Sequence, residues 1–350
     1  MHSDFFFNFA LMKRKKTIIA VAAVVVVVAA AGHYVFRSHI NGGEKTRYII
    51  IDDDDNVDSV VSKVGKDARG LQMSAFEWLA RRDAYAEHIR TGRYAIDKSI
   101  GALSLYQKLK AGEQDPLNLT VPSVRTLDKM AARLSAKLQM DSTALYQALT
   151  DSALCASLGC DTANVIGLFL PNTYQVYWDV TPKDLIARMK KEHDRFWNDE
   201  RKQKAQKLNL SPAEVTVLAS IVAEETNYTP EKATVAGLYL NRIRKNMLLQ
   251  ADPTVKFALR DFAAKRVLNR MLTVDSPYNT YKYEGLPPGP IRNPAAEDID
   301  AVLEDQRHEY LYMCAKETFD GTHNFARTMA EHEQNARKYT QALNERGIKK

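Results

Sequence analysis

The residue best placed for acid–base chemistry is Glu225, at the end of a predicted helix over residues 211–226 (SPAEVTVLASIVAEET). Ser211 and Glu214 have the S-x-x-E spacing of a capping box, and Pro212 occupies the first helical position. These signals specify where the helix begins. They therefore also specify that Glu225 lies about four turns later, close to its carboxyl end.

The apolar residues of this helix predict which glutamate is buried. On a helical wheel, their mean direction falls within about 15° of Glu225 and about 110° from Glu224. A carboxyl group against an apolar wall has a raised pKa, as a general acid working near neutral pH requires. The alternative is a structural ion pair of Glu225 with Arg242 or Arg244. The apolar residues are Val215, Val217, Leu218, Ile221 and Val222.

Loops rich in tyrosine, amides and proline follow this helix. They are residues 250–254 (QADPT), 276–281 (SPYNTY), 285–291 (GLPPGPI) and 321–325 (GTHNF). Aromatic rings stack on sugar faces and amides bond hydroxyl or acetamido groups, so the four loops together favour a sugar-binding groove. Each loop taken alone is equally typical of a tight turn. The candidate sugar-binding residues are Gln250, Tyr278, Asn279 and Tyr281.

Two further polar residues in these loops are candidates for the same groove. Asp252 offers a second carboxylate, although the adjacent Pro253 also suits a residue that caps a turn. His323 is a candidate for orienting a substrate group, and the alternative is a purely structural histidine. The sequence shows no metal or nucleotide motif, so no cofactor is expected.

Composition limits the class of protein. The chain has 350 residues, 45% of them hydrophobic and 26% charged, which excludes wholesale disorder and suggests about two domains. The net charge of +6 is mild for this size, and no basic run with interleaved aromatic residues points to nucleic acid. Three cysteines are too few for a disulfide scaffold. Cys155 and Cys160 could pair or remain buried thiols, and Cys314 is expected in the core.

The N-terminal segment predicts a membrane span. A basic cluster at residues 13–16 precedes an apolar run over residues 17–36, which is the length needed to cross a bilayer. The basic end is expected to stay in the cytoplasm, which puts the rest of the chain outside. The alternative is a cleaved signal peptide, with residues 29–31 (AAA) as the cleavage site. Met12 is a plausible true start.

The part of the chain after the span is predicted to be α+β. Strands at residues 47–51 and 92–96 enclose two helices, at about 56–67 and 72–88, and form a small module. Tyr94 and Trp78 are possible sugar-stacking rings in it, with a core position as the alternative. A helix at about 99–111 and a strand at 117–122 follow, and the chain then reads as helical to about residue 158. A larger mixed α+β domain completes the chain.

Several of these motifs, in this order, resemble those of the endolytic murein transglycosylase (YceG-like) family. They are ASIVAEET, QADPTV, SPYNTY, GLPPGPIRNP and THNF, and residues 167–174 (GLFLPNTY) resemble the family's entry motif. The resemblance is strongest from about residue 165. It implies a cytoplasmic N-terminus (1–16), an inner-membrane helix (17–36), a LysM-like peptidoglycan-binding module (46–115) and a periplasmic catalytic domain (117–350).

The resemblance also implies the reaction. The family cleaves the β-1,4 bond between N-acetylmuramic acid and N-acetylglucosamine in nascent glycan strands. Its catalytic acid lies in the helix that corresponds to residues 211–226. Many members have two glutamates there separated by one residue. Glu225 matches the second, and Ala223 stands at the position of the first, which leaves no essential role implied for Glu224.

One persuasive carboxylate favours a lytic transglycosylase, because a hydrolase of the usual kind needs two. In the lytic reaction the C6 hydroxyl of the muramic acid is the nucleophile and closes a 1,6-anhydro ring. The alternatives are a muramidase that hydrolyses the same bond, and a non-catalytic scaffold that binds peptidoglycan. Peptidoglycan synthases are possible partners of this protein.

Overall fold

The chain folds into two compact units. The computed structural model describes residues 2–66, 68, 70–82, 84–264 and 266–346, with only the backbone of residues 2–11 and 84. One unit contains the chain up to residue 117 together with residues 175–179, and the other contains residues 118–174 and the chain from residue 180. Predictions that concern Met1, Asp67 or residues 347–350 lie outside the described residues.

Helix α1, His2–Arg37, contains the apolar run. Its stretch from residue 12 to residue 37 contains an 18-residue window with a mean hydropathy of 2.5 and is long enough to cross a bilayer. The valines of this stretch, such as Val24 and Val28, are more than half exposed. A signal sequence has the same length and composition, so these properties alone leave both interpretations of the segment open.

The first unit has the predicted strand–helix–helix–strand order. Strand β1 (Arg47–Ile51) pairs antiparallel with β2 (Gly92–Ile96), and Arg47 lies opposite Ile96. Tyr94 is completely buried, and its hydroxyl donates to main-chain oxygens, so it is a core residue and not a sugar-stacking ring. The helices of this unit are α2 (Val57–Gly65), α3 (Gly70–Arg82), which is shorter than predicted, and α4 (Ala102–Ala111).

The second unit is mainly helical, with strands that pair two by two. The segment predicted as helical up to residue 158 forms three short helices, two of which begin at the aspartate caps Asp141 and Asp151. Strand β3 pairs with β4, and β5 pairs antiparallel with β6. The strands are β3 (Leu117–Val121), β4 (Asn172–Val176), β5 (Tyr312–Ala315) and β6 (His323–Ala326). The helices are α5 (Leu127–Ser135), α6 (Ser142–Thr150), α7 (Ser152–Ser157), α8 (Pro182–Phe196), α9 (Asp199–Lys207), α10 (Pro212–Glu225), α11 (Thr229–Arg244), α12 (Asp252–Leu259), α13 (Ala296–Leu303) and α14 (Met329–Glu345).

Helix α10 is the central element of this unit. The predicted capping box forms, because Ser211 Oγ accepts from the Glu214 N–H at 3.2 Å and the Glu214 carboxylate accepts from the Ser211 N–H at 2.7 Å. Every residue from Val215 to Ala223 is buried, by packing against α9, α11, α12 and α13. The predicted apolar stripe is therefore too narrow, since the helix is enclosed on all sides along its middle.

The proline-rich loop before α13 supports α10. The Ile291 N–H donates to Ser220 Oγ at 3.0 Å inside the core. Asn293 is fully buried, and its amide donates to the carbonyls of Pro122 and Phe169. Gly289 approaches the Ala163 carbonyl so closely that a Cβ would lie 2.3 Å from its oxygen. This loop therefore fixes the position of the carboxylate-bearing helix.

The three cysteines are free thiols in the structure. Cys160 Sγ lies 3.4 Å from the carbonyl oxygen of Cys155, to which it donates. Burial raises the pKa of both of these thiols. Cys314 differs from its prediction, because it is only partly buried and lines a cavity.

Candidate active site

A cavity of about 250 Å³ lies at the carboxyl end of α10. Its walls come from α10, α11, the start of α12, the loop that ends at residue 281, and the β5–β6 ribbon. Most of the predicted loops therefore meet the predicted carboxylate at one place. The lining residues are Glu225, Leu238, Tyr239, Arg242, Leu249, Gln250, Asp252, Tyr281, Met313, Cys314, Ala315 and His323.

Glu225 lines this cavity with a perturbed carboxyl group. Burial raises its pKa to about 7, and the hydrogen bond that Tyr239 donates to Glu225 Oε1 at 2.6 Å only partly opposes that rise. The nearby Asp252 carboxylate raises the pKa further. Glu225 is also the last residue of its helix, where the negative end of the macrodipole disfavours a carboxylate. The carboxyl is therefore protonated in a large fraction of molecules at neutral pH.

Glu224 has a different environment from its neighbour. Its carboxylate accepts two hydrogen bonds at 2.7 Å from Arg125 and lies 3.2 Å from Arg292. A carboxylate held by two guanidinium groups is a structural ion pair. Glu224 therefore supports the loop architecture around α10, outside the cavity that Glu225 lines.

The two arginines considered as partners of Glu225 are used elsewhere. Arg242 donates to the carbonyl oxygens of Leu311, Leu248 and Leu249 at 2.6 to 3.0 Å. Arg244 pairs with Asp305 at 2.7 Å. Within the described part of the chain, no ion pair of Glu225 is found, so the alternative of a structural salt bridge lacks support.

Asp252 and Tyr281 form a hydrogen-bonded pair in the cavity wall. Asp252 is the first residue of α12, and its Oδ1 accepts from the Tyr281 hydroxyl at 2.6 Å. Burial is the main cause that raises the pKa of Tyr281, and the hydrogen bond to Asp252 adds to it. Because the phenol donates to Asp252, its oxygen can still accept a hydrogen bond from a ligand in the cavity.

Gln250 has a strained backbone and an oriented side chain. Its φ of 52° lies in the left-handed region, which is unusual for a residue other than glycine. The backbone N–H donates to the Thr280 carbonyl at 3.0 Å, which joins the two predicted loops. Arg242 donates to Gln250 Oε1 at 3.1 Å, so the amide oxygen is used inside the protein. The amide nitrogen of Gln250 is then the group with donors for a ligand.

His323 is held by a carboxylate that the sequence did not single out. Glu231 Oε1 accepts from the His323 backbone N–H, and Glu231 Oε2 lies 3.0 Å from His323 Nδ1. Since a carboxylate only accepts, Nδ1 carries a proton in this contact, and Nε2 is the remaining ring nitrogen. The contact between Glu231 Oε2 and Nδ1 orients the imidazole of His323, which lines the cavity.

The structure corrects two of the predicted sugar-binding residues. Tyr278 is partly buried, and its ring packs on Phe257 with centroids 4.7 Å apart, outside the lining of the cavity. Asn279 is completely buried, and its amide donates to the carbonyls of Leu272 and Val274. Asn279 is therefore not in place to bind a sugar directly, and Tyr278 lies outside the cavity of Glu225 and lines a different one.

Three residues of the site have roles that the sequence does not predict. Tyr239 and Glu231 are not among the candidates that the sequence indicates, and Arg242 is a candidate only as an ion-pair partner of Glu225. A tyrosine in the apolar part of α11 is a weak signal for Tyr239, because a buried phenol needs a hydrogen-bond partner. Glu231 lies in the first turn of α11, where glutamate is common at any helix start. Only the fold brings it to His323.

The arrangement suits proton transfer to a bound polyol. One carboxyl with a pKa of about 7 faces a cavity that offers a donor amide, a phenol, a carboxylate and an imidazole. Among the residues that the structure describes, no group of three or more potential metal ligands occurs.

Comparisons with known proteins match the region of the chain that contains this cavity. The model of the YceG-like family matches residues 49–338. A protein named endolytic murein transglycosylase from Bacillus subtilis is 28% identical over 307 residues, which cover 83% of this chain and 84% of that protein. A protein of the same name from Streptococcus pneumoniae strain D39 is 26% identical over 310 residues, 80% of this chain and 55% of the pneumococcal protein.

A solved structure shares the fold. The crystal structure of a YceG-like protein from Listeria monocytogenes is similar to this chain, with a TM-score of 0.55 and 25% identity. The similarity covers 83% of this chain and 99% of the Listeria chain. The family model spans well over half of the sequence and includes every cavity residue. The chain therefore belongs to the YceG-like family.

Proposed function

We propose that this chain is a lytic transglycosylase that cuts within peptidoglycan glycan strands, at the β-1,4 bond between N-acetylmuramic acid and N-acetylglucosamine. The observation that carries the proposal is Glu225, a carboxyl with a pKa of about 7 in a polar cavity. The relatives named endolytic murein transglycosylase support the choice of glycan as the substrate.

In the first step, protonated Glu225 donates its proton to the glycosidic oxygen. The bond from the muramic acid C1 to that oxygen breaks, the N-acetylglucosamine side leaves as an alcohol, and C1 becomes oxocarbenium-like. A pKa near the working pH gives the carboxyl both a high protonated fraction and sufficient acidity. The hydrogen bond from Tyr239 stabilises the carboxylate as it forms.

In the second step, the Glu225 carboxylate takes the proton of the muramic acid's own C6 hydroxyl. The C6 oxygen attacks C1, a 1,6-anhydro ring closes, and Glu225 returns to its protonated state. Because the nucleophile belongs to the same sugar, its effective concentration is high and no water molecule needs to be positioned. One carboxyl group thus serves both proton transfers.

The other cavity residues are proposed to hold the glycan. The Gln250 amide nitrogen suits a substrate acceptor such as an acetamido carbonyl, since Arg242 occupies the amide oxygen. Tyr281, fixed by Asp252, offers an oxygen that accepts from a sugar hydroxyl. His323, oriented by Glu231, is proposed to position a further polar group of the sugar.

A muramidase that hydrolyses the same bond is the second candidate function. The observation that favours it is Asp252, because its carboxylate lies in the wall of the same cavity as Glu225. A hydrolase needs such a second carboxylate as base or nucleophile. This is the less favoured candidate, because the relatives that match most of the chain are named endolytic murein transglycosylase.

Mass spectrometry of the products separates the two reactions. The full-length protein in detergent is incubated with long glycan strands in ¹⁸O-labelled water, and the new ends are weighed. We expect 1,6-anhydro ends without ¹⁸O, since the C6 oxygen and not water attacks C1. Reducing ends that contain one ¹⁸O would replace the lytic proposal by the muramidase. Intact strands would favour a non-catalytic scaffold.

The site is proposed to work at the membrane. With residues 17–36 retained as a span and residues 13–16 in the cytoplasm, both folded units lie on the outer side of the inner membrane, where new glycan emerges. The unit before residue 117 is proposed to bind glycan, since every residue that lines the cavity lies in the other unit. Peptidoglycan synthases are the proposed neighbours in this layer.

A further inference from the structure

Helix α3 exposes large apolar side chains on one side. Leu71 is 63% exposed and Trp78 is 48% exposed. They are seven residues apart, so they lie two turns from each other on the same face of the helix. The opposite face packs into the core of the first unit through Phe76 and Ala80, while Ala75, four residues after Leu71, is buried beside the exposed side chains. The exposed parts of Leu71 and Trp78 are therefore available to a partner.

This face adjoins the end of α1. The ring of Trp78 meets the ring of Phe36 edge-on, with centroids 6.0 Å apart. Val35 and Phe36 pack against the core of the same unit, and the Gln72 amide reaches Ser38 at 3.5 Å. The carboxyl end of α1 is thus attached to α3, and the distance between Trp78 and the apolar helix is fixed by the fold.

The length of the apolar run sets the depth of Trp78. At 1.5 Å per residue, residues 17–36 span roughly 30 Å, the thickness of the hydrocarbon layer. Phe36 is the last apolar residue before Arg37, so it lies where the chain leaves the hydrocarbon. A ring in contact with Phe36 must then lie at the level of the lipid headgroups.

The side chains of the face suit that level. Tryptophan is enriched at the membrane interface, where its apolar ring and its N–H meet different surroundings. The Arg82 guanidinium lies 4.8 Å from the Trp78 ring and can approach lipid phosphates. Arg81 is already paired with Glu77 and Asp58, so Arg82 is the cation of this face that we assign to lipid.

We propose that Leu71, Trp78 and Arg82 form an interfacial patch that inserts into the headgroup region of the leaflet from which α1 emerges. The patch would be a second attachment beside the span and would hold the first unit in one orientation against the bilayer. This proposal rests on the retained span of the proposed function. The alternative binding partner of Trp78 is a glycan strand, whose sugars would stack on the same ring.

Fluorescence quenching by brominated lipid tests the patch. The full-length protein is placed in nanodiscs of phosphatidylethanolamine and phosphatidylglycerol, with or without bromine near the top of the acyl chains. Since the chain has three tryptophans, we expect bromine to remove about a third of the emission, and Trp78→Phe to abolish nearly all of this quenching. Trp178→Phe is the matched control and should keep it.

The outcomes separate the patch from the span. If the protein stays in the disc after an alkaline carbonate wash and bromine quenches wild type and Trp78→Phe equally, the patch is refuted and the span stands. If the wash removes the protein, the span fails and the patch with it. Added glycan strands that shift the Trp78 emission, in discs where bromine does not, would assign the ring to glycan binding instead.

Discussion

Glu225→Gln is expected to lower the rate of glycan cleavage by about a thousandfold or more, because general acid and base catalysis each contribute factors of 10² to 10⁴. The amide can neither donate the proton to the glycosidic oxygen nor take one from the C6 hydroxyl. Its shape is nearly that of the acid, and its oxygen can still accept from Tyr239. The measurement is the release of soluble fragments from labelled glycan by the full-length protein.

Glu224→Gln is the matched control, since it makes the same change one residue earlier. The oxygen of the introduced amide can still accept from Arg125 or Arg292, and the side chain lies outside the cavity. We expect activity within about tenfold of wild type, the loss being that of one partly exposed ion pair. Equal losses in the two variants would contradict the assignment of Glu225 as the acid.

The same Glu225→Gln change is expected to stabilise the fold in alkaline solution. Glu225 has a pKa of about 7 in the folded state against an ordinary value of 4.5. Below pH 4.5 both states are protonated. Between pH 4.5 and 7 only the unfolded state ionises, so wild type loses stability as the pH rises. The full effect above pH 7 is about 3 kcal/mol, at 1.36 kcal/mol per pKa unit.

Thermal unfolding of both proteins in the same detergent measures this effect. At pH 8 the Glu225→Gln variant should melt several degrees above wild type, and at pH 4 the two should nearly coincide. A functional residue that destabilises its own fold is expected when activity requires a buried acid. A variant that melts below wild type at pH 8 would mean that Glu225 is stabilised as a carboxylate, contrary to the proposal.

The local signals of α10 were sufficient to predict its start and the position of Glu225. The capping box and Pro212 involve residues within a single helical turn, so they can be recognised from the local sequence alone. The hydrophobic pattern was less informative, because all residues from Val215 to Ala223 are buried and no single face is marked. Glu225 differs from its neighbours because it lines the cavity beyond the end of the helix. The other walls of that cavity come from distant parts of the sequence, as far away as His323, which is 98 residues after Glu225.

The error on Asn279 has a local explanation. Its Oδ1 accepts from the Tyr281 N–H two residues later at 3.1 Å, the turn that asparagine side chains commonly form. That turn occupies the amide oxygen, and the nearby carbonyls of Leu272 and Val274 occupy the two donors of the amide nitrogen. The ring of Tyr278, by contrast, packs against Phe257 on α12, and no pattern within the loop indicates that contact.

The roles of Glu231 and Arg242 could not be predicted from sequence for a physical reason. Glu231 reaches His323 across 92 positions, and Arg242 reaches the Leu311 carbonyl across 69. Such contacts depend on how helices and strands pack, and the local sequence around either residue is that of an ordinary helix. Polar residues that position others are therefore found only once the fold is known.

The most direct test is titration of the Glu225 carboxyl itself. Full-length protein labelled with ¹³C at glutamate carboxyl carbons is followed by NMR in detergent, and the Glu225 signal is assigned by its absence in Glu225→Gln. We expect a midpoint near pH 7, as burial against the walls of the cavity requires. A midpoint near the ordinary value of 4.5 would contradict it, because Glu225 would then hold no proton to donate at neutral pH.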